Sequence, residues 1–118
     1  MAFKFEKLEV WQKALDLTDE INLLTKHHFP QDELFILTSQ IKRAADSVVL
    51  NIAEGCTGQT NAVFKNFLNY SIRSAIEVVA CLFIAKRRKM INEDNFQRLY
   101  NDYQSLTKMI TSLRNTIL

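Results

Sequence analysis

At 118 residues and 47% hydrophobic content, the chain is long enough to close one core without staples, and its net charge of +2 alone points to no partner. Two glycines and one proline are far below ordinary usage, which excludes the Gly/Pro-punctuated alternation of an all-β fold and leaves long helices. The cysteines, Cys56 and Cys81, show no metal or redox spacing. No signal-peptide pattern opens the chain, and its longest apolar run, Val78 to Ala85, is far short of the ~20 residues that span a bilayer. The expectation is a reduced, cytoplasmic protein with no membrane partner.

Charge is unevenly placed. Residues 1–54 hold six Lys/Arg and nine Asp/Glu, and residues 55–118 hold nine and four, so the halves carry −3 and +5. Such asymmetry marks either an anion-binding surface or opposite charges that meet across a subunit contact. The sequence leaves both open.

In chain order, Met1 to Lys7 is a lead-in whose Phe3 and Phe5 are expected to tuck against the rest. Leu8, Trp11, Ala14, Leu15, Thr18, Ile21 and Leu24 share one arc of a first helix over Leu8 to Lys26, with Asp16, Asp19 and Glu20 off it. Trp11 on that arc reads as a core anchor rather than a base-stacking platform. Lys26, His27 and His28 suit the C-terminal end of the helix dipole. Pro30 forbids continuation, and Asp32 and Glu33 supply the negative first turn of a second helix over Asp32 to Glu54.

The second half of that helix, Gln40 to Gly55, carries two stripes. Leu37, Ile41, Ala44, Ala45, Val48 and Ile52 form an apolar face, while Gln40, Ser47, Asn51 and Glu54 line a neighbouring polar one. Two patterned faces imply two neighbours. Gly55 is expected to stop the helix in the left-handed conformation, opening a loop to Gln59.

Thr60 caps a third helix over Asn61 to Arg88. Phe64, Leu68, Ser71, Ala75, Val78, Leu82 and Ala85 form one stripe, and Ile72, Ile76, Val79 and Phe83 a second about a quarter turn away at ~100° per residue. Either the chain's own helices wrap this all-round apolarity or another chain covers it. With four helices available, a subunit interface is the favoured reading. Lys86, Arg87, Arg88 and Lys89 follow, read either as dipole compensation and solubility or as phosphate contacts. Asn92 caps a fourth helix with Glu93 and Asp94 in its first turn. Phe96, Leu99, Tyr103, Leu106, Ile110, Leu113 and Ile117 then repeat as a heptad seam. Short connections make each helix antiparallel to the last. The predicted architecture is all-α: an antiparallel up-down four-helix bundle, one domain over 1–118.

Catalytic constellations are missing. The sequence holds no Glu-x-x-His pair for a di-iron bundle, no phosphate-cradling glycine loop, no nucleophile elbow and no zinc ligand set. Glu54 and Glu77 interrupt small-residue or apolar stretches, and read as register-fixing hydrogen-bond partners rather than catalytic acids because no base or nucleophile accompanies them. No enzyme activity, cofactor or metal is expected.

The segments F-E-K-L-E-V-W-Q-K-A at Phe5 to Ala14, F-P at Phe29-Pro30 and L-T-S-Q-I-K-R-A-A-D-S-V-V-L-N-I-A-E-G at Leu37 to Gly55 resemble a bacterial four-helix-bundle family. So do F-K-N-F-L at Phe64 to Leu68 and S-A-I-E at Ser74 to Glu77. Members are encoded in intervening sequences of 23S ribosomal RNA genes and are also labelled as a ribosomal protein. The resemblance implies a homo-oligomeric ring, a homopentamer, with no enzymatic activity. It also implies similarity to accessory proteins of diversity-generating retroelements, basic pentameric barrels that engage nucleic acid and a reverse transcriptase. Two departures stand out. Val49 occupies a position where the family often has proline, so any kink in the second helix is weaker. Arg73 replaces a glycine that would allow close backbone approach, so helix spacing or a ring contact differs from the pattern.

The leading expectation is therefore a non-enzymatic homo-oligomer that binds the backbone of RNA or DNA through Lys42, Arg43, Arg73, Lys86, Arg87, Arg88 and Lys89. The alternative is a protein-interaction scaffold or accessory subunit whose cations serve only solubility.

Overall fold

Sparse breakers and three-four apolar spacing produce four α-helices: α1 (Glu9–His28), α2 (Ser39–Gly55), α3 (Asn61–Arg87) and α4 (Glu93–Asn115). The computed structural model describes residues 2–58 and 60–118; Met1 of the lead-in and Gln59 of the α2–α3 loop lie outside the described residues. Successive helices run antiparallel. Gln40 meets Glu77 and Val48 meets Ser71 across α2 and α3, while Glu20 meets Arg98 and His28 meets Asn95 across α1 and α4.

The core is contributed by all four helices: Ile21 from α1, Ile41, Val48 and Ile52 from α2, Leu68, Val78 and Leu82 from α3, and Leu99, Tyr103, Leu106 and Ile110 from α4. The α4 seam is buried as its heptad spacing predicts, with Leu113 and Ile117 half-covered at the frayed end. Two predicted caps form. The Thr60 hydroxyl accepts from the Val63 N–H at 3.2 Å, and Asn92 Oδ1 accepts from the Asn95 N–H at 2.8 Å.

Tyr103 is enclosed, yet its hydroxyl has no hydrogen-bond partner among the described residues. Burial, and after it the carboxylates of Asp46 and Asp102, pushes its ionisation far above the ordinary phenol range. A buried hydroxyl without a partner costs stability that an isosteric ring does not. Tyr103→Phe is therefore expected to raise the urea-unfolding free energy by about 1 kcal/mol.

Several expectations are corrected. The buried face of α1 is Val10, Ala14, Leu17, Ile21 and Leu24; Leu15 is exposed and Thr18 half-buried, so the arc is turned toward Val10 and Leu17. Trp11 sits at its edge, its ring 4.7 Å from Phe5, because the lead-in forms a 3-10 turn over Lys4–Lys7 that packs there. Phe5 tucks in, whereas Phe3 only stacks on Phe5 and stays exposed.

The second helix does not run unbroken from Asp32. A 3-10 turn at Gln31–Glu33 leads into a π-helical turn at Leu34–Thr38, and regular α-helix begins at Ser39. The wide turn is held where the Glu33 carboxylate accepts from the Leu37 N–H at 3.4 Å. It turns Leu37 and Thr38 inward and leaves Leu34, Phe35 and Ile36 outside.

Gly55 is not the left-handed stop. It is the last buried residue of α2, and a Cβ there would lie 2.9 Å from both Phe64 Cδ1 and Phe67 Cβ. It lets α2 and α3 touch. The positive φ belongs to Gly58, at 83°. The apolar α2 stripe faces the chain's own core, and Gln40 and Ser47 of the polar one reach α3, while Glu54 stays exposed. Ser47 Oγ and Ser74 Oγ are 2.8 Å apart, Asn51 Nδ2 donates to the Ser47 carbonyl at 2.8 Å, and Ser71 Oγ donates to the Val48 carbonyl at 3.0 Å.

α3 is 27 residues long, and by length and composition it is apolar enough to cross a membrane, with a mean hydropathy of 1.5 over 18 residues. Counting only uninterrupted apolar runs missed this, because Arg73 and Glu77 break the run without lowering the average much. Its first stripe is buried against α2 and α4. Its second is not fully wrapped: Ile72 and Val79 are half-buried, while Ile76 and Phe83 are 58% and 51% exposed.

Candidate functional site

The C-terminal end of α3 gathers the densest charge. Its chain leaves the helix through a Schellman motif: the Met90 N–H donates to the Ala85 carbonyl at 2.9 Å and the Lys89 N–H to the Lys86 carbonyl at 3.0 Å. That motif needs a left-handed residue, and Lys89 supplies it with φ 60°. A non-glycine side chain there costs about 1 kcal/mol.

They are not equivalent. Lys86 Nζ lies 2.8 Å from Glu93 Oε2 and 4.3 Å from the centroid of the Phe96 ring, so it ties α3 to α4. Arg88 Nη1 donates to Glu33 Oε1 at 2.9 Å and Oε2 at 3.3 Å, locking the entry to α2. Arg87 and Lys89 are exposed with no carboxylate in ion-pair reach among the described residues. The four surround an open groove of about 820 Å³ floored by Phe83 and Ile84.

Lys42, Arg43 and Arg73 do not join this groove. Arg73 is exposed on α3, thirteen residues before Lys86 and so about 20 Å up the helix at 1.5 Å per residue. Lys42 and Arg43 are exposed on α2, where Lys42 borders a polar cleft between α1 and α2 beside Asp19 and Asp46. The seven predicted contacts thus form a cluster of four, two of them internally paired, and three scattered cations.

No group of His, Cys, Asp or Glu among the described residues is arranged to hold a metal ion. Glu77 accepts from Gln40 Nε2 at a long 3.5 Å, and Glu54 is exposed. Neither thiol is poised as a nucleophile. Burial pushes Cys56 up against the opposing pull of Lys4, and burial followed by the Glu77 carboxylate pushes Cys81 from 9.0 to about 11.

The Cys81 shift fixes a sign. The folded state holds the thiol proton longer than the unfolded chain does, so its contribution is complete below pH 9 and is lost as pH rises toward 11. Urea midpoints are expected to fall over that interval by the equivalent of about 2 kcal/mol, and Cys81→Ala to flatten that part of the profile.

What the sequence reading missed is the exposed apolar run Leu34-Phe35-Ile36. The signal was present as three large apolar residues directly after Asp32-Glu33, but a regular helix places Leu34 in the core and hides the anomaly.

Residues 6–112 match the family described as 23S rRNA-intervening sequence protein. The chain belongs to that family. Among curated proteins none matches. A crystal structure of a protein of unknown function from the S23 ribosomal protein family, from Bacteroides thetaiotaomicron VPI-5482, is similar at 28% identity with a TM-score of 0.82, covering 89% of this chain and 97% of that one. Val49 is buried within an α2 that stays helical from Ser39 to Gly55. Arg73 points outward, so it does not set the α2–α3 spacing; Gly55 does.

Proposed function

We propose that this protein is a non-enzymatic building block that assembles with copies of itself and presents cations to the backbone of RNA or DNA. The observation that carries assembly is the half-covered second stripe of α3, where Ile76 faces solvent past the middle of the longest helix and Phe83 near its C-terminal end. A second copy removes that apolar surface from water. A bilayer is a poorer cover, since Arg73 and Glu77 are exposed on the same helix and each costs ~3 kcal/mol near a membrane centre. The five-fold number, and with it the pentamer, rests on the resemblance stated above. A reduced, cytoplasmic setting belongs to the same reading, with Cys56 and Cys81 both free. Sedimentation equilibrium at micromolar concentration tests it: the expected mass is a multiple of 13.7 kDa, and a single soluble subunit overturns assembly.

Nucleic-acid contact is supported by the outward cations Lys42, Arg43, Arg73, Arg87 and Lys89. Copies arranged in a ring multiply a weak patch into useful avidity. Affinity is expected to fall steeply with salt, the logarithmic slope being about −0.9 per phosphate neutralised on a duplex. Lys89→Gly is the cleanest probe. It removes one charge while relieving the left-handed strain, so lost retention cannot be blamed on unfolding. A flat salt dependence, or retention that survives neutralising Arg87 and Lys89, leaves the alternative of a protein scaffold or accessory subunit.

A further inference from the structure

The knuckle between α1 and α2 presents Leu34, Phe35 and Ile36 at 40%, 90% and 60% exposure. A consecutive exposed run of this size is anomalous for a lone soluble bundle. It is carried on a π-helical turn, a geometry found often at functional sites. We infer that Phe35 and Ile36 of one copy seat in the Phe83/Ile84 groove of a second copy, with Asp32 of the knuckle facing Arg87 and Lys89 on the groove rim. The inference rests on the self-assembly reading above and locates one of its contacts.

Three features fit knuckle to groove. Both floors are apolar, Phe35 and Ile36 on one side and Phe83 and Ile84 on the other. The groove is about 820 Å³, and no residue of the knuckle lines it within the same chain, although Arg88 at its rim holds Glu33 at the knuckle's base. Charges complement each other: Arg87 and Lys89 have no carboxylate in ion-pair reach among the described residues, and Asp32 has no cation. Asp32 is exposed in the 3-10 turn that leads directly into the π-helical turn carrying Phe35. The nearby positive charges are Lys26 and Lys42, which border the Leu34 side of the knuckle rather than the outward Phe35, and Arg88, which is paired with Glu33. The negative N-terminal half and positive C-terminal half then meet between copies. Because the two surfaces differ, the contact is either head-to-tail, as in a ring, or exchanged reciprocally about a two-fold axis.

The test is sedimentation of the full chain, of Phe35→Ser and of two charge variants. Phe35→Ser is expected to weaken association about tenfold or more while leaving the thermal melt of the subunit unchanged, because Phe35 touches little of its own chain. Asp32→Lys, and separately Arg87→Asp with Lys89→Asp, are each expected to weaken association, and an equimolar mixture of the two to recover it. Wild-type mass for Phe35→Ser, or no recovery in the mixture, overturns the knuckle-in-groove contact while leaving assembly standing. A monomeric wild type overturns both. Loss of nucleic-acid retention with undiminished association in the Arg87/Lys89 variant assigns the rim to nucleic acid and also overturns the contact.

Discussion

Gly55→Leu is expected to destabilise the fold by about 3 kcal/mol or more, read as a lower urea midpoint with an unchanged slope. A Cβ at this position already falls 2.9 Å from Phe67 Cβ and 2.9 Å from Phe64 Cδ1. The Phe64 ring can swing aside, but Phe67 Cβ is fixed to the α3 backbone and moves only if the helices part. Parting α2 and α3 at this end stretches the seam above it, where Ser71 Oγ donates to the Val48 carbonyl at 3.0 Å and the hydroxyls of Ser47 and Ser74 touch at 2.8 Å. Gly55→Ala is the milder case. Gly55 closes α2, where alanine recovers less than the roughly 0.5–1 kcal/mol it gains in a helix interior, so a net loss here reports the helix contact. Gly58→Ala separates steric from conformational cost. Nothing lies within 4 Å of the point a Cβ would occupy there, and with φ at +83° the expected loss is only the ~1 kcal/mol of left-handed backbone.

Ile76→Glu combined with Ala80→Glu is expected to weaken self-association by about a thousandfold or more, because a carboxylate buried at a contact without a partner costs several kcal/mol. Both positions are exposed in the isolated chain. The melt of the monomer should therefore stay within about 0.5 kcal/mol of wild type, as for surface substitutions elsewhere. An unfolded variant would mean that the second stripe of α3 belongs to the subunit's own core. A folded variant that still assembles would move the contact to another surface. Ala80 lies one turn before Phe83 and Ile84, so the pair adjoins the groove floor, and the Phe35→Ser result separates a contact at the groove from one along the stripe. Dispersal here with an intact Phe35→Ser assembly would place the interface along α3 alone.

The bundle was legible because its signals are local and repeated. Thr60 and Asn92 cap as their types dictate, and the three-four stripe from Leu68 to Ala85 is buried as spacing requires. Failures came where spacing permits two answers. On α1, Trp11 drew the predicted arc toward itself, yet the core selected Val10 and Leu17 because Phe5 had already claimed the Trp11 edge. At Gly55, the same residue type suits a left-handed stop or a close helix approach, and only the position of Phe67 decides. The cation cluster was visible as a run. That Lys86 and Arg88 are occupied by Glu93 and Glu33 was not, since those partners are brought near by the fold: Glu33 is fifty-five residues distant in sequence.

By itself, the order of residues determined helix number, antiparallel course and the excess of apolar surface on α3, because hydrogen bonding and burial act along each helix at a fixed period. Tertiary structure decided which excess stays outside. The π-helical turn rotates Phe35 to the surface, Gly55 draws α3 onto α2, and the end of α3 brings two surface cations to Glu93 and Glu33 and leaves two without a carboxylate among the described residues. Those outcomes depend on distances between segments far apart in the chain, which no local period encodes.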